Sequence, residues 1–358
     1  MLPVLGKKSA HSQLYNNNLF GETLKMKRII LTIILFLSFY GFVNCQELSK
    51  VGTTAAPFLQ IGVGSRATAL GESYTAIADG VESMYWNPAS IDWFHDNQAS
   101  FNYSDWFAGM KYFYAGGVLH LGEVGSFGVS VTSFTTPYML VTTVDYPDGI
   151  GQQFDAADLA LGVSYAKKIT DRFSFGATMK YINRRIWEMN ASAIAMDFGI
   201  LYQLPWENIK LGMSILNFGS KLQMQGVDAV VMHDLDATMA GNNDQVMANL
   251  YTKEWNLPLS FRFGLAYQVV QTEEHEVLLA ADYIHPNDNF SSVNVGAEYG
   301  FLDHFFVRAG YKSIGLQDNQ EGLSYGAGVK YDFVSFDYAY VKMKYLDYIQ
   351  QFSVDLRF

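Results

Sequence analysis

A glycine-rich run near the start of the chain has residue types that could bind phosphate. GVGSR, from Gly62 to Arg66, offers two glycines that would let backbone N–H groups approach an anion closely. A phosphate-binding loop also needs a following Lys-Ser/Thr pair and a strand-to-helix context, and neither is present. The sequence therefore predicts no nucleotide site at this run.

Two acidic stretches have residue types that could ligate a metal ion. They are VMHDLDAT, with His233, Asp234 and Asp236, and DYPDG, with Asp145 and Asp148. Their spacing matches no known calcium loop, and carboxylates in an Asp- and Asn-rich outer loop are usually solvated. We therefore predict no metal site and no cofactor.

The seven histidines are scattered along the chain, and no Ser, His and Asp follow one another in an order that suggests a catalytic triad. The sequence therefore predicts no catalytic residues and a protein that is not an enzyme.

Composition favours one large all-β unit. The 358 residues are 49% apolar and 15% aromatic, only 16% are charged, and 31 are glycines. Aromatic and glycine enrichment without long helical periods is typical of many short strands. The net charge of −11 argues against nucleic acid as a partner.

The start of the chain is typical of an exported protein. Residues 26–45 contain a basic start, an apolar centre and small or turn-forming residues, which predicts a signal peptide. Residues 1–25 are polar and are predicted to be an upstream mis-start or an unstructured extension. Cleavage after Cys45 leaves Gln46 as the new terminus. A lipid anchor on Cys45 is the alternative, which the preceding Asn44 disfavours.

Residues 98–358 repeat a pattern of about ten alternating residues followed by a turn. In DLALGVSYAK, from Asp158 to Lys167, every second residue is large and apolar, and the residues between them are Ala, Gly and Ser. A period of two indicates strands with chemically different faces. An apolar outer face and a small, polar inner face are typical of membrane β-barrels.

We count about fourteen such segments. Successive connections of an antiparallel barrel alternate between its two ends. The short connections all have the same parity and so fall at one end, as periplasmic turns would, and the long connections 135–157 and 218–258 fall at the other end. The sequence therefore predicts a transmembrane antiparallel β-barrel. The segments lie near 98–104, 110–120, 125–134, 158–167, 172–182, 191–203, 209–217, 259–270, 275–285, 290–300, 304–311, 322–331, 334–341 and 350–358.

The last strand, QFSVDLRF, ends on an aromatic residue. A barrel must close its final strand against its first, because an unpaired edge in lipid leaves backbone groups without hydrogen bonds. Phe358 is similar to the terminal signal that outer-membrane assembly machinery recognises, and we predict it to be an assembly signal. The alternative is that Phe358 is only a packing residue.

Residues 46–97 precede the first predicted strand and are rich in glycine and small residues. Such a segment suits a compact plug in the barrel lumen, where irregular backbone is tolerated away from lipid. Asn87-Pro88 is predicted to form a turn, and Trp86 to pack. Arg66 is predicted to pair with Asp79 or Glu82 in the plug, or with charges of the lumen.

VGTTAAPFLQIGVGSRA, TALGESYTAIADGVESMYWNPASI and the overall plan of the chain resemble the PorV/PorQ family, relatives of the FadL-type fatty-acid channels. The likeness is most specific in Gly62 to Ala67, in Ala78-Asp79 and in the turn that begins at Trp86. We predict a plug motif made of Gly62, Gly64, Arg66, Asp79, Trp86, Asn87 and Pro88.

The resemblance implies a barrel in the outer membrane of a Gram-negative cell, with outer-membrane lipid around it. PorV-like members bind secreted cargo or secretion-system proteins through their outer loops and hand them on in type IX secretion, and PorQ-like members act elsewhere in that pathway. A FadL-like channel for a hydrophobic small molecule is the alternative. A purely structural barrel is a third possibility.

Overall fold

A computed structural model describes residues 50–205, 208–234, 245–316, 321–346 and 348–358. The predicted extension 1–25 and signal peptide 26–45 lie outside these residues, as do residues 46–49. Within the described ranges, no helix has both the length and the apolar character needed to cross a membrane.

The described residues form a closed barrel of fourteen antiparallel strands, which confirms the predicted fold class. Each strand pairs with its neighbours in sequence, and the last pairs with the first. The strands are β1 (Gln98–Asp105), β2 (Lys111–His120), β3 (Ser126–Thr135), β4 (Ala156–Thr170), β5 (Phe173–Ile186), β6 (Met189–Gln203), β7 (Ile209–Gly219), β8 (Ser260–Gln271), β9 (His275–Pro286), β10 (Ser292–Phe301), β11 (Phe305–Ile314), β12 (Glu321–Tyr331), β13 (Val334–Met343) and β14 (Ile349–Arg357).

Pairing of β1 with β14 closes the barrel. The register runs from Gln98 opposite Arg357 to Asp105 opposite Gln350. Just beyond the strands, Asn97 and Phe358 exchange two backbone hydrogen bonds of 3.1 and 2.9 Å. Closure gives every barrel strand two neighbours and so leaves no edge in the lipid.

The two faces of the barrel wall differ as the alternation predicts. On β1, Phe101 is 46% exposed on the outside, and the neighbouring Ser100 and Asn102 are buried in the lumen. Lys180 and Asp282 are also buried on the lumen side. The outside is therefore an apolar surface that suits lipid, and the lumen is polar.

The two ends of the barrel differ in their connections. At one end, called the short-turn end, the strands from β2 to β13 are joined in pairs by tight turns such as 121–125 and 332–333. At the other, called the long-loop end, residues 136–155 join β3 to β4 and residues 220–259 join β7 to β8. Other connections at this end are also short, including the two-residue turn between β5 and β6, so the prediction that all short connections have the same parity is wrong.

The long loops contain short strands of their own. Met139–Leu140 pairs with Gln153–Phe154, and Val230–His233 pairs with Val246–Asn249. Gln225–Gly226 extends the sheet beside β6. Short 3-10 turns lie at Phe107–Gly109, Gly122–Val124 and Val227–Ala229.

The orientation of the barrel can be tested by proteolysis of intact cells. Since short turns of outer-membrane barrels face the periplasm, we expect cleavage within 218–258 and protection of 121–124 and 168–171. Mass spectrometry of the released peptides locates the cuts, and lysed cells are the control for accessibility. Cuts at the short turns of sealed cells would reverse the proposed orientation.

Residues 50–97 contain no barrel strand and are called the lumen segment. They form 3-10 turns at Pro57–Gln60 and Pro88–Asp92 and the short helices α1 (Ser65–Ala69) and α2 (Ser83–Trp86). Much of the buried core belongs to this segment, with fully buried side chains at Phe58, Val63, Leu70, Tyr74, Val81, Met84, Trp86 and Ile91.

Candidate functional site

The lumen segment is hydrogen-bonded to the inner face of the barrel wall. In α1, the backbone N–H of Ser65 donates to the Ser353 hydroxyl at 2.8 Å, and the Thr68 hydroxyl donates to Gln351 at 2.6 Å. The Ser324 hydroxyl donates to the carbonyl of Ala69 at 3.1 Å. These bonds join α1 to strands β12 and β14, so polar groups of the segment are satisfied by the small polar residues of the lumen.

Glycines on the lumen face let the segment's backbone lie directly against the wall. A Cβ added to Gly310 would lie 2.1 Å from the nitrogen of Gly71, and one added to Gly176 would lie 2.5 Å from the carbonyl carbon of Pro88. The small residues of the lumen are therefore explained by close packing of the segment. In the described part of the chain, an added Cβ would meet the segment's backbone at five such glycines, each on a different strand: Gly176, Gly212, Gly264, Gly296 and Gly310.

Gly62 and Gly64 also lie where a side chain would collide. A Cβ on Gly62 would lie 2.5 Å from a carboxylate oxygen of Glu72, and one on Gly64 would lie 2.7 Å from Cγ of Glu82. Gly64 also has a φ of 93° immediately before α1, a conformation that favours glycine. In the structure this run packs against side chains of its own segment.

Trp86 is fully buried between the segment and the barrel wall. Its indole Nε1–H donates to the carbonyl of Val63 at 2.9 Å. The Arg262 guanidinium lies 4.6 Å from the centre of the Trp86 ring, within the range of a cation–π contact. Trp86 therefore links two parts of the segment and contacts β8.

Asn87 and Pro88 start a tight turn. The Asn87 side chain caps the following 3-10 turn by accepting from the backbone N–H of Ala89 at 3.1 Å. Its amide donates to the carbonyls of Thr75 and Ile200, each at 2.9 Å. Through its one side chain, Asn87 therefore connects the turn to an earlier part of the segment and to strand β6.

Arg66 is the centre of an ion-pair network. Its guanidinium donates two hydrogen bonds to Glu298 of β10, at 2.8 and 2.7 Å, and one to Asp79 at 2.5 Å. Asp79 is the only one of these partners in the same segment. The two-point contact between Arg66 and Glu298 has the fork geometry of a strong charge-assisted pair.

The network continues across the wall at the short-turn end. Arg308 of β11 donates to Glu298 at 2.5 Å and also pairs with Asp337 of β13. Arg357 of β14 lies 3.3 Å from Asp79. Charged groups of four strands thus converge on the segment through Glu298 and Asp79.

Two carboxyl groups of the segment have pKa values that are shifted in opposite directions. Burial raises the pKa of the Asp79 carboxyl, but Arg66 and Arg357 outweigh burial and hold that pKa below its usual range. Burial and the neighbouring charge of Asp355 raise the pKa of the Glu82 carboxyl well above its usual value. Arg66 and Arg357 therefore stabilise the charged form of Asp79, whereas burial disfavours the charged form of Glu82.

A second anchor lies at Asp282 of β9. Its carboxylate accepts hydrogen bonds from the backbone N–H groups of Tyr74 and Thr75, at 3.1 and 3.0 Å, and from the Thr75 hydroxyl at 2.6 Å. The alternation of residues in the sequence gives no sign that Asp282 holds the segment. Its partners lie 207 and 208 residues away in the chain.

Phe358 lies at the closing seam, where its backbone pairs with Asn97 and its ring is exposed on the outer face. We expect Phe358→Ala to lower the amount of heat-modifiable barrel in the outer membrane severalfold, because the change removes a terminal aromatic without removing a lumen contact. Phe352→Ala, on the same face of β14, is the matched control. Equal assembly of both variants would leave Phe358 as a packing residue.

The acidic stretches considered as metal ligands lie on the long loops. Asp145 and Asp148 are exposed, as is His233, and Asp236 lies outside the described residues. Among the residues that the structure describes, no group of three or more histidine, cysteine or acidic side chains is arranged to hold a metal ion.

Solved structures of two toluene transporters have a similar fold. The toluene transporter TbuX of Ralstonia pickettii has a TM-score of 0.57 and 14% identity, with 83% of this chain and 98% of TbuX covered. The toluene transporter TodX of Pseudomonas putida has a TM-score of 0.53 and 12% identity, with 83% and 97% covered. A Pseudomonas aeruginosa FadL homologue has 12% identity and a TM-score of 0.49, with 83% and 98% covered.

The closed barrel and a family match define the class: this is an outer-membrane β-barrel protein of a Gram-negative cell. The family model described as type IX secretion system protein PorV matches residues 44–203. That match includes the lumen segment and strands β1 to β6, and it confirms the resemblance to PorV over this range. A search of the curated proteins finds no match.

Proposed function

We propose that this barrel serves type IX secretion by binding secreted cargo or secretion-system proteins at its long-loop end and handing them on. The observation that carries the proposal is the apolar surface of the two long loops. Val144 is 100% exposed, Tyr251 is 82% exposed and Met247 is 71% exposed. Large apolar side chains that project beyond a membrane barrel indicate a surface that another protein covers.

Both loops contribute to this surface. The described exposed apolar residues are Tyr138, Met139, Leu140, Val144, Tyr146 and Ile150 on the first loop, and Val227, Val230, Met232, Val246, Met247, Leu250, Tyr251 and Trp255 on the second. Such residues form the centre of protein–protein interfaces, where aromatic residues and methionine are enriched. The PorV match supports the same role for the barrel.

At the short-turn end, the lumen is a less suitable binding surface. It is occupied by the lumen segment through ion pairs and buried hydrogen bonds, and the cavity beside Arg66 and Asp79 measures about 70 Å³. A space of that size holds a few water molecules. Passage of a hydrophobic small molecule, the alternative function, would require the segment to move.

Co-purification from native outer membrane tests the proposal. We expect the quadruple variant Val144→Ser, Tyr146→Ser, Met247→Ser and Tyr251→Ser to lose at least nine tenths of the partner protein that the unchanged chain retains. Asp145→Asn, between two of these positions, is the matched control and should retain the partner. Unchanged recovery in the quadruple variant, with the barrel still heat-modifiable, would contradict the proposal.

A further inference from the structure

A polar groove lies on the outer face of the barrel wall at the long-loop end. Its volume is about 830 Å³, a size that can hold a small ligand. Strands β5 and β6 form one side, and the two ends of the loop between β7 and β8 form the other. This groove is called the wall groove, and its lining includes Asn183, Asn190, Ser192, Lys221, Gln225 and Glu254.

The wall groove is the space that remains where the loop leaves β6 and returns to it. At one end Gly219 pairs with Ala195, and at the other Gln225 pairs with Asn190. A Cβ added to Gly219 or Gly226 would collide with the backbone of β6 or of the turn before it. Glycine therefore allows close contact at both ends of the groove.

A second run of the same loop holds the loop side of the groove in place. Leu222 and Trp255 exchange two backbone hydrogen bonds, each of 2.9 Å. The side-chain amide of Gln223 donates to the carbonyl of Thr252 at 2.8 Å. The groove is therefore formed before any ligand binds.

The lining suits a ligand that is polar and uncharged. Carboxamides and hydroxyls dominate it, and these groups both donate and accept hydrogen bonds, as the hydroxyls of a sugar do. Lys221 and Glu254 have opposite charges and lie 3.6 Å apart, and an acyl chain would meet no large apolar side chain of the described lining. Asn190 and Ser192 are exposed and, among the described residues, make no side-chain hydrogen bond.

The groove begins where the lipid-facing surface ends. On three adjacent strands, the outward side chains change from large and apolar to polar toward the long-loop end: Tyr181 to Asn183, Ile194 to Ser192, and Phe218 to Ser220. The edge of the apolar band of a barrel lies at the level of the lipid headgroups. Because long loops of outer-membrane barrels face outward, these are headgroups of the outer leaflet.

We propose that the wall groove binds the saccharide headgroup of a glycolipid in the outer leaflet. The sugar hydroxyls exchange hydrogen bonds with Asn190, Ser192 and Gln225, and the acyl chains lie along the apolar band of the barrel. The loop between β7 and β8 forms one side of the groove and also carries exposed apolar residues such as Tyr251. A bound glycolipid therefore lies beside the surface proposed to bind proteins.

Binding of three probes to the chain in detergent micelles tests this proposal. The probes are lipopolysaccharide from the cells that make the protein, and the lipid A and free polysaccharide that mild acid releases from it. We expect lipopolysaccharide to bind at least tenfold more tightly than lipid A. The double variant Asn190→Ala and Ser192→Ala should remove this difference without changing the affinity for lipid A.

Ser192→Trp, which fills the groove with an indole, should have the same effect. Asn249→Ala removes an exposed asparagine of the same loop outside the groove and should leave all three affinities unchanged. Heat-modifiability checks that each variant is folded. Equal affinity of the unchanged chain for lipopolysaccharide and lipid A, or undiminished lipopolysaccharide binding by Ser192→Trp, would overturn the proposal. Tighter binding of free polysaccharide than of lipopolysaccharide would also overturn it, because the ligand would then be a soluble glycan.

Discussion

A barrel that lacks residues 51–80 will assemble and conduct ions, whereas the intact chain will be nearly silent in planar bilayers. The deletion removes α1 and the buried Phe58, Leu70 and Tyr74, together with Arg66 and its contacts to β10. The strands keep their neighbours, and the polar side chains of the lumen wall then contact water.

Single-channel recording measures this effect, and removal of the exposed loop residues 142–148 is the control, which should leave the barrel silent. If the chain without residues 51–80 is as silent as the intact chain, side chains or outer loops close the lumen. If both conduct equally, the segment does not seal it.

Replacing Arg66 will loosen the lumen segment without unfolding the barrel. Arg66→Gln leaves the buried Glu298 without one of its two arginines and Asp79 without its nearest cation. Loss of one partner of a buried ion pair costs about 3 kcal/mol or more. Amide exchange over residues 62–80 should therefore become about a hundredfold faster.

Arg185→Gln is the matched control for this change. Arg185 pairs with Asp155 at 2.7 Å, but its side chain is 41% exposed, compared with 15% for Arg66. An exposed pair contributes about 0–1 kcal/mol. Equal effects of the two substitutions on exchange in the segment would show that Arg66 does not hold it in place.

The barrel could be predicted because its signal is local and repeated. Every predicted segment overlaps an observed strand, since lipid outside and a polar lumen impose alternation on each strand separately. Strand ends were less exact: β4 runs from Ala156 to Thr170 rather than from 158 to 167. Its far end carries an irregular register between Lys168 and Thr170, where alternation no longer marks the strand.

The contacts inside the lumen were only partly predictable. Arg66 and Asp79 are 13 residues apart, and an opposite-charge pair in one compact segment is a natural expectation. Glu298 lies 232 residues from Arg66, and its position depends on the register of the whole barrel.

Photo-crosslinking in native outer membrane is the most direct test of the central claim, that the long loops bind proteins. A photoreactive residue at Tyr146 or Tyr251 should crosslink to partner proteins during secretion. The same residue at Tyr325, exposed on the lipid face of β12, should not. Protein crosslinks at the loop positions alone are the predicted result, and their absence there, or equal crosslinking at Tyr325, would contradict it.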